Sequence, residues 1–190
     1  YGFMGIVLQC IAIKASEMIP TAGVCLNEKT RKIEMLINPN FFATLSDDEQ
    51  VSVLLHEMYH LIHKHVYMGQ SYAPEDRRTL NIAMDMVINQ LIKHLPEGAV
   101  LIEKFKQVDG KPFPPNCITE YYYNELKKLK QDSKEKGEGS NGQGQIKDKD
   151  GKGWEDSFDS HDWDNADKED LMKAAKDLFQ RAKQKASMEY

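Results

Sequence analysis

The stretch VLLHEMYHLIHKHV, residues 53–66, places four histidines and a glutamate among aliphatic side chains. His56, Glu57 and His60 form the pattern H-E-x-x-H. On a helix, residues i and i+4 lie on one face, so both imidazoles can reach one metal ion at the roughly 2.0–2.1 Å that a Zn–N bond requires. Glu57 lies beside them, where it can take a proton from a water molecule that the metal activates. The spacing therefore predicts a zinc site with Glu57 as general base.

A third ligand is expected, because catalytic zinc usually takes three protein ligands and leaves one position open for water. Asp85 is the candidate, since it lies within the apolar segment LNIAMDMVINQLI, where a carboxylate needs compensation. Asn81 and Asn89 flank it by one turn on either side and are placed to orient it. The alternative is that Asp85 lies on the one solvated face of an amphipathic helix.

His65 is a rival ligand. It follows His56 by nine residues, which is nearly the opposite face of a regular helix, so ligation would require a break near Lys64. His63 shares the ligand face but lies about 10 Å further along by helical rise. We expect both to lie at the surface or to support a ligand from behind. A hydrogen-bond donor for the oxyanion is also needed, and the candidates are Tyr59, Tyr67, Tyr121, Tyr122, Tyr123 and His161.

The helix that carries the motif has a clear start. Ser46 and Glu49 form an S-x-x-E capping box, which satisfies backbone amides at a helix N-terminus. We expect this helix to run through the histidines to about Met68 and to stop at Gly69.

The remaining elements predict an α+β fold, mainly helical, with a small β-hairpin beside the motif helix. A first helix is expected over residues 1 to 17, followed by hairpin strands near 21–26 and 33–37. The next helix should start at Pro74 and continue to Pro96. Thr119 should cap a further helix, and an amphipathic helix is expected at about 168–186.

Three segments differ in composition. Residues 1–130 have the apolar content of a folded domain, whereas residues 131–153 are rich in glycine and mixed charges and predict a flexible linker or a long loop. Residues 154–190 contain an acidic stretch and the last helix. The acidic stretch is a candidate binding surface for a protein partner, and His161 within it is a candidate for the zinc site. The alternative is a solvated acidic tail whose tryptophans anchor the final helix.

Charge and cysteine content narrow the class of protein. The net charge of −5 and the pI near 5.7 argue against nucleic acid or an anionic membrane as the main partner. Three cysteines at no ligand-like spacing predict reduced thiols and a cytoplasmic location. The apolar run near the first residue covers about eleven positions, too few to span a bilayer, which needs about 20.

The ordered motifs TAGV, INP, HEMYH and NIAMDMVIN resemble a family described as a putative metallopeptidase domain, found upstream of von Willebrand factor A-like domains in bacteria and phages. The resemblance implies a zincin-like fold, a zinc cofactor and a protein or peptide substrate. It supports Asp85 as third ligand. It also supports a role for His65, because this family usually has a histidine there.

Two functions are compatible with these residues. The first is a zinc metallopeptidase that hydrolyses peptide bonds with Glu57 as general base. The alternative is a catalytically inactive, zinc-stabilised protein-binding module. Three protein ligands and an intact Glu57 favour the enzyme, because a structural zinc site is usually closed by four protein ligands.

Overall fold

The computed structural model describes residues 2–135 and 167–189. These residues form a mixed α/β structure that is mainly helical and contains a small three-stranded sheet, as expected for the α+β class. They divide into two compact units. The first comprises the described residues of Tyr1–Ala73 and Asp159–Tyr190, and the second comprises those of Pro74–Phe158.

The first unit contains three strands and four helices among its described residues. The strands are β1 (Ala12–Ala15), β2 (Ala22–Asn27) and β3 (Lys32–Ile37). The helices are α1 (Gly2–Gln9), α2 (Pro39–Phe42), α3 (Asp47–Ile62) and α6 (Lys168–Glu189). Two 3₁₀ turns, His65–Tyr67 and Gly69–Ser71, follow α3.

The sheet has the order β1-β3-β2, so β3 is central. β2 and β3 form the predicted antiparallel hairpin, with Val24 opposite Met35. β1 pairs with β3 in parallel, with Ile13 opposite Met35. Alternate residues of β2 are buried, as expected for a strand with one face on the core. β2 packs against α3 and β3 against α6, so the sheet supports the helix that carries the motif.

The second unit contains α4 (Arg77–Ile88) and α5 (Thr119–Glu135), which pack against each other. Three 3₁₀ turns, Pro74–Asp76, Asn89–Leu91 and Ile102–Lys104, complete its described secondary structure. Tyr122 and Leu126 of α5 are fully buried, as their helical spacing predicts.

Three predicted boundaries are wrong. The segment expected as one helix to residue 17 is α1 followed by β1, because Ala12–Ala15 pairs with β3. The motif helix ends at Ile62, before Met68, because Lys64 adopts the left-handed conformation with φ +62°. The next helix ends at Ile88 and continues only as a 3₁₀ turn to Leu91, well before Pro96.

The boundaries predicted at 130 and 153 remain a prediction, because residues 136–166 lie outside the described part. Residues 131–135, assigned to the linker, are the last residues of α5. The final helix begins at Lys168, as expected.

Cys10, Cys25 and Cys117 are all free thiols. Within the described residues, every helix is too short or too polar to cross a bilayer.

Candidate metal site

The capping box fixes the start of α3. The Ser46 hydroxyl accepts a hydrogen bond from the Glu49 backbone amide at 3.4 Å, and the Glu49 carboxylate accepts one from the Ser46 amide at 2.9 Å. Asp47, Asp48 and Glu49 in the first turn complement the positive end of the helix dipole. The predicted cap is confirmed. By fixing where α3 begins, it also fixes which face of the helix carries the motif residues.

The motif residues lie on the buried side of α3. His56 and Glu57 are each 1% exposed, and His60 is 0% exposed. The Nε2 atoms of His56 and His60 lie 3.0 Å apart, and the ring centroids are separated by 4.7 Å. The sequence therefore brings two ring nitrogens to one point in the core, where a polar group must be satisfied.

This pair of nitrogens fits a metal ion. Two Nε2 atoms bound to one zinc at about 2.05 Å and at the tetrahedral angle would lie about 3.3 Å apart. The 3.0 Å observed between His56 and His60 differs from this by a few tenths of an ångström, which small rotations of the two rings supply. Imidazole nitrogen is a common zinc ligand. The donor atoms and their spacing thus suit zinc or a similar divalent ion.

The end of α3 brings a third histidine to the same cluster. After the left-handed Lys64, His65 begins a 3₁₀ turn and is 1% exposed. Its Nδ1 lies 3.1 Å from Nδ1 of His60, on the opposite side of that ring from His56. The break near Lys64 that ligation by His65 would have required is present, but the contact is with the far nitrogen of His60. His63 is exposed.

Asp85 belongs to α4 in the second unit. It is 2% exposed, and its neighbours Met84 and Met86 are 0% exposed. The alternative that Asp85 lies on a solvated face is therefore wrong. Burial of a carboxylate in apolar surroundings is costly unless a hydrogen bond or a cation compensates it. The burial of Asp85 is therefore compatible with a role as a metal ligand.

The two asparagines beside Asp85 differ in environment. Asn89 is buried, and its side-chain amide donates a hydrogen bond to the Val100 carbonyl at 2.8 Å, which ties the end of α4 to the following loop. Asn81 is half-buried. Their predicted role in orienting the Asp85 carboxylate stays a prediction.

Several tyrosines proposed as oxyanion donors have their hydroxyls engaged elsewhere. In the second unit, Tyr122 donates to the Pro114 carbonyl, Tyr123 to the Asp76 carboxylate and Tyr121 to the Gln107 amide. In the first unit, Tyr67 is 9% exposed, and burial raises the pKa of its hydroxyl, so it stays protonated and able to donate. Tyr59 is half-buried and contacts the His63 ring. His161 lies outside the described residues.

Sequence reasoning left open whether His65 lies at the surface or supports a ligand, and did not identify His60 as its partner. The contact depends on a left-handed residue at position 64, and lysine carries no special preference for that conformation. The spacing of the histidines alone indicated opposite faces. The two histidines near the helix end, His63 and His65, which are separated by Lys64, were the only signal.

Comparison with known proteins places the chain in a family. Residues 7–189 match the model of a family described as "Putative metallopeptidase domain". The chain belongs to this family. The resemblance to a metallopeptidase family is thus confirmed, whereas the position upstream of von Willebrand factor A-like domains stays a prediction. Neither a curated protein nor a solved structure matches the chain. The family description suggests a metal-dependent peptidase, and so a protein or peptide substrate.

Proposed function

We propose that this chain is a zinc-dependent peptidase with a zincin-like fold that hydrolyses peptide bonds in protein or peptide substrates. The observation that carries the proposal is the buried pair of ring nitrogens, 3.0 Å apart, on a capped helix with Glu57 between the two histidines. Membership of a family described as a metallopeptidase domain supports the reaction class.

His56, His60 and Asp85 are the proposed metal ligands. Two neutral imidazoles and one carboxylate form a donor set typical of catalytic zinc, which keeps a further position for water. When bound, the zinc supplies Lewis acidity toward a carbonyl oxygen and acidifies water. The near-complete burial of all three side chains supports this assignment, because a dry site strengthens their electrostatic interactions.

Glu57 is the proposed general base. It follows His56 directly, is 1% exposed, and its carboxylate can accept the proton of the attacking water and pass it to the leaving amine. Because the cap fixes where α3 begins, His56 and His60 are held on one face of that helix. Tyr67 remains a candidate donor to the developing oxyanion, because its hydroxyl stays protonated. His161 also stays a candidate.

We also propose a cellular location and a surface for a protein partner. Three free cysteines in the described residues suit a reducing compartment, which supports a cytoplasmic location. The acidic stretch after residue 153 stays a proposed surface for a protein partner.

The test compares wild type with Glu57→Gln for both metal content and cleavage. A peptide library derived from a whole proteome is incubated with each protein, and new termini are identified by mass spectrometry. We expect one zinc per chain in both proteins and cleavage by the wild type alone, because the substitution removes the base and leaves the ligands intact.

The remaining outcomes separate the two functions. Zinc in both proteins with cleavage by neither would indicate the alternative, a zinc-stabilised protein-binding module. Equal cleavage by both proteins would remove Glu57 from the mechanism. A wild-type protein that binds no divalent metal would overturn the proposal as a whole.

A further inference from the structure

His65 occupies a position that a continuous helix could not give it. Five residues after His60, it would lie about 140° around a regular α-helix. Lys64, with φ +62°, interrupts the helical path after α3, and His65 beyond it contacts His60 of the motif. The ring centroids of His60 and His65 are therefore only 5.0 Å apart.

The position of His65 is well fixed. The side chain is 1% exposed, and Val66 and Tyr67 of the same 3₁₀ turn are also buried. The turn packs against α6 and is closed by a hydrogen bond from the Met68 amide to the His65 carbonyl at 2.9 Å. A side chain held in this way can impose an orientation on its neighbour.

The contact engages the ring nitrogen of His60 that faces away from His56. Nε2 of His60 points toward Nε2 of His56 at 3.0 Å, whereas Nδ1 of His60 points toward Nδ1 of His65 at 3.1 Å. A neutral imidazole that ligates a metal through Nε2 carries its proton on Nδ1. That proton needs an acceptor, and ligating histidines usually have one behind them.

We infer that His65 is a positioning residue that accepts the Nδ1–H of His60 and so fixes the orientation and tautomer of that ligand. The inference rests on the proposed metal site. Because Nδ1 of His65 accepts, its own proton must lie on Nε2. This role is more often filled by a carboxylate or a backbone carbonyl. An imidazole acceptor adds no negative charge to the buried site.

The first test measures zinc affinity by competition with a chromophoric chelator. His65→Leu removes the acceptor and should weaken binding by about 10- to 100-fold, as loss of such a supporting group typically does. His65→Asn should restore most of the affinity, because its Oδ1 takes the place of Nδ1. His94→Asn is the control, since His94 is an exposed histidine of the second unit and asparagine tolerates its left-handed backbone, and this variant should bind as wild type does.

Absorption spectra of the cobalt-loaded proteins separate support from ligation. We expect the same number of nitrogen ligands in wild type and in His65→Asn. Wild-type affinity in His65→Leu would overturn the inference. A loss in His65→Asn as large as that in His65→Leu would do so as well, and a missing nitrogen ligand in its cobalt spectrum would make His65 a ligand itself.

A second measurement does not depend on how the variants fold. Nitrogen-15 NMR of wild type labelled at histidine reports which ring nitrogen carries the proton. We expect His65 as the Nε2–H tautomer and His60 with its proton on Nδ1. A proton on Nδ1 of His65 would refute the inference even if zinc binds. A failure of wild type to bind zinc, by contrast, would count against the proposed function.

Discussion

The two units each bury a polar cluster, and the clusters differ in how their atoms are used. In the second unit, the Tyr122 hydroxyl donates to the Pro114 carbonyl at 2.8 Å and accepts from the Cys117 amide and the Gln90 side chain, each at 3.2 Å. The hydroxyl's donor and both acceptor sites are used. In the first unit, two ring nitrogens of neighbouring histidines face each other at 3.0 Å.

The difference shows how a structural cluster can be told from a ligand cluster. The partners of Tyr122 are complementary, so this network holds the loop before α5 on the end of α4. The nitrogens of His56 and His60 are the same kind of atom, and with neither of them protonated their two lone pairs are complementary to a cation. Complementary partners within the protein indicate a structural role, whereas two ring nitrogens that converge on one point fit the proposed ligand role.

The largest expected effect tests the ligand cluster. His56→Ala and Asp85→Ala should each reduce zinc affinity by more than the roughly 10- to 100-fold expected for a supporting residue, because each removes a proposed direct ligand. Metal content after dialysis against a chelator measures this. Asp76→Asn is the control, since this carboxylate of the second unit bonds to Tyr123 and Lys127. Full zinc content in Asp85→Ala would move the third ligand elsewhere.

Tyr122→Phe tests the structural cluster. It removes the hydroxyl and leaves the Cys117 amide and the Pro114 carbonyl without this partner, so we expect a loss of about 1–3 kcal/mol in the free energy of unfolding. Urea denaturation measures the loss, and zinc affinity should not change. A variant as stable as wild type but with weaker zinc binding would reverse the distinction between the two clusters.

Ser46→Ala should destabilise the chain by about 1 kcal/mol, because it removes the side-chain cap of α3. Thermal unfolding of metal-free protein measures this effect. Ser187→Ala is a suitable control, because this exposed serine near the end of α6 caps no helix N-terminus. Equal melting temperatures for all three proteins would show that the capping box does not stabilise α3.

Asp76 should give a smaller effect that depends on pH. Burial opposes ionisation of this carboxyl, but hydrogen bonds from Lys127 and Tyr123 outweigh it and lower its pKa below the ordinary 3.8. A lowered pKa stabilises the folded state above the unfolded-state value, and this contribution is lost as the pH falls through the folded-state value. Asp76→Asn should therefore cost less than about 1 kcal/mol at pH 7. The difference from wild type should shrink below about pH 4, and a constant difference would contradict this explanation.

Lys64→Gly should have the smallest effect. A left-handed conformation costs an L-residue roughly 1–2 kcal/mol, whereas glycine avoids this cost but loses about 0.5–1 kcal/mol in backbone entropy. A net gain of about 0.5 kcal/mol in stability is expected. Lys64→Val should be clearly destabilising, because a β-branched residue resists this conformation. The two variants, compared by urea denaturation, show whether the turn itself is strained.

Local signals made part of this structure predictable. The capping box at Ser46, the hairpin of β2 and β3, and the spacing of His56 and His60 each depend on residues close in sequence. β1 was not predicted, because Ala12–Ala15 becomes a strand only by pairing with β3, more than 20 positions later. The position of His65 was left open between the surface and the back of a ligand for a related reason. The turn at Lys64 is favoured by the packing of the residues around it and has no signal of its own.

The parallel pairing of β1 has a consequence for how copies of the chain behave in solution. β1 is an edge strand, all four of its residues are exposed, and an open strand edge can pair with the edge of another molecule. Lys14 lies in this strand and binds the Glu34 carboxylate on the central strand at 2.8 Å. A charged lysine on an edge strand is one of the features that discourage pairing with the edge of another molecule.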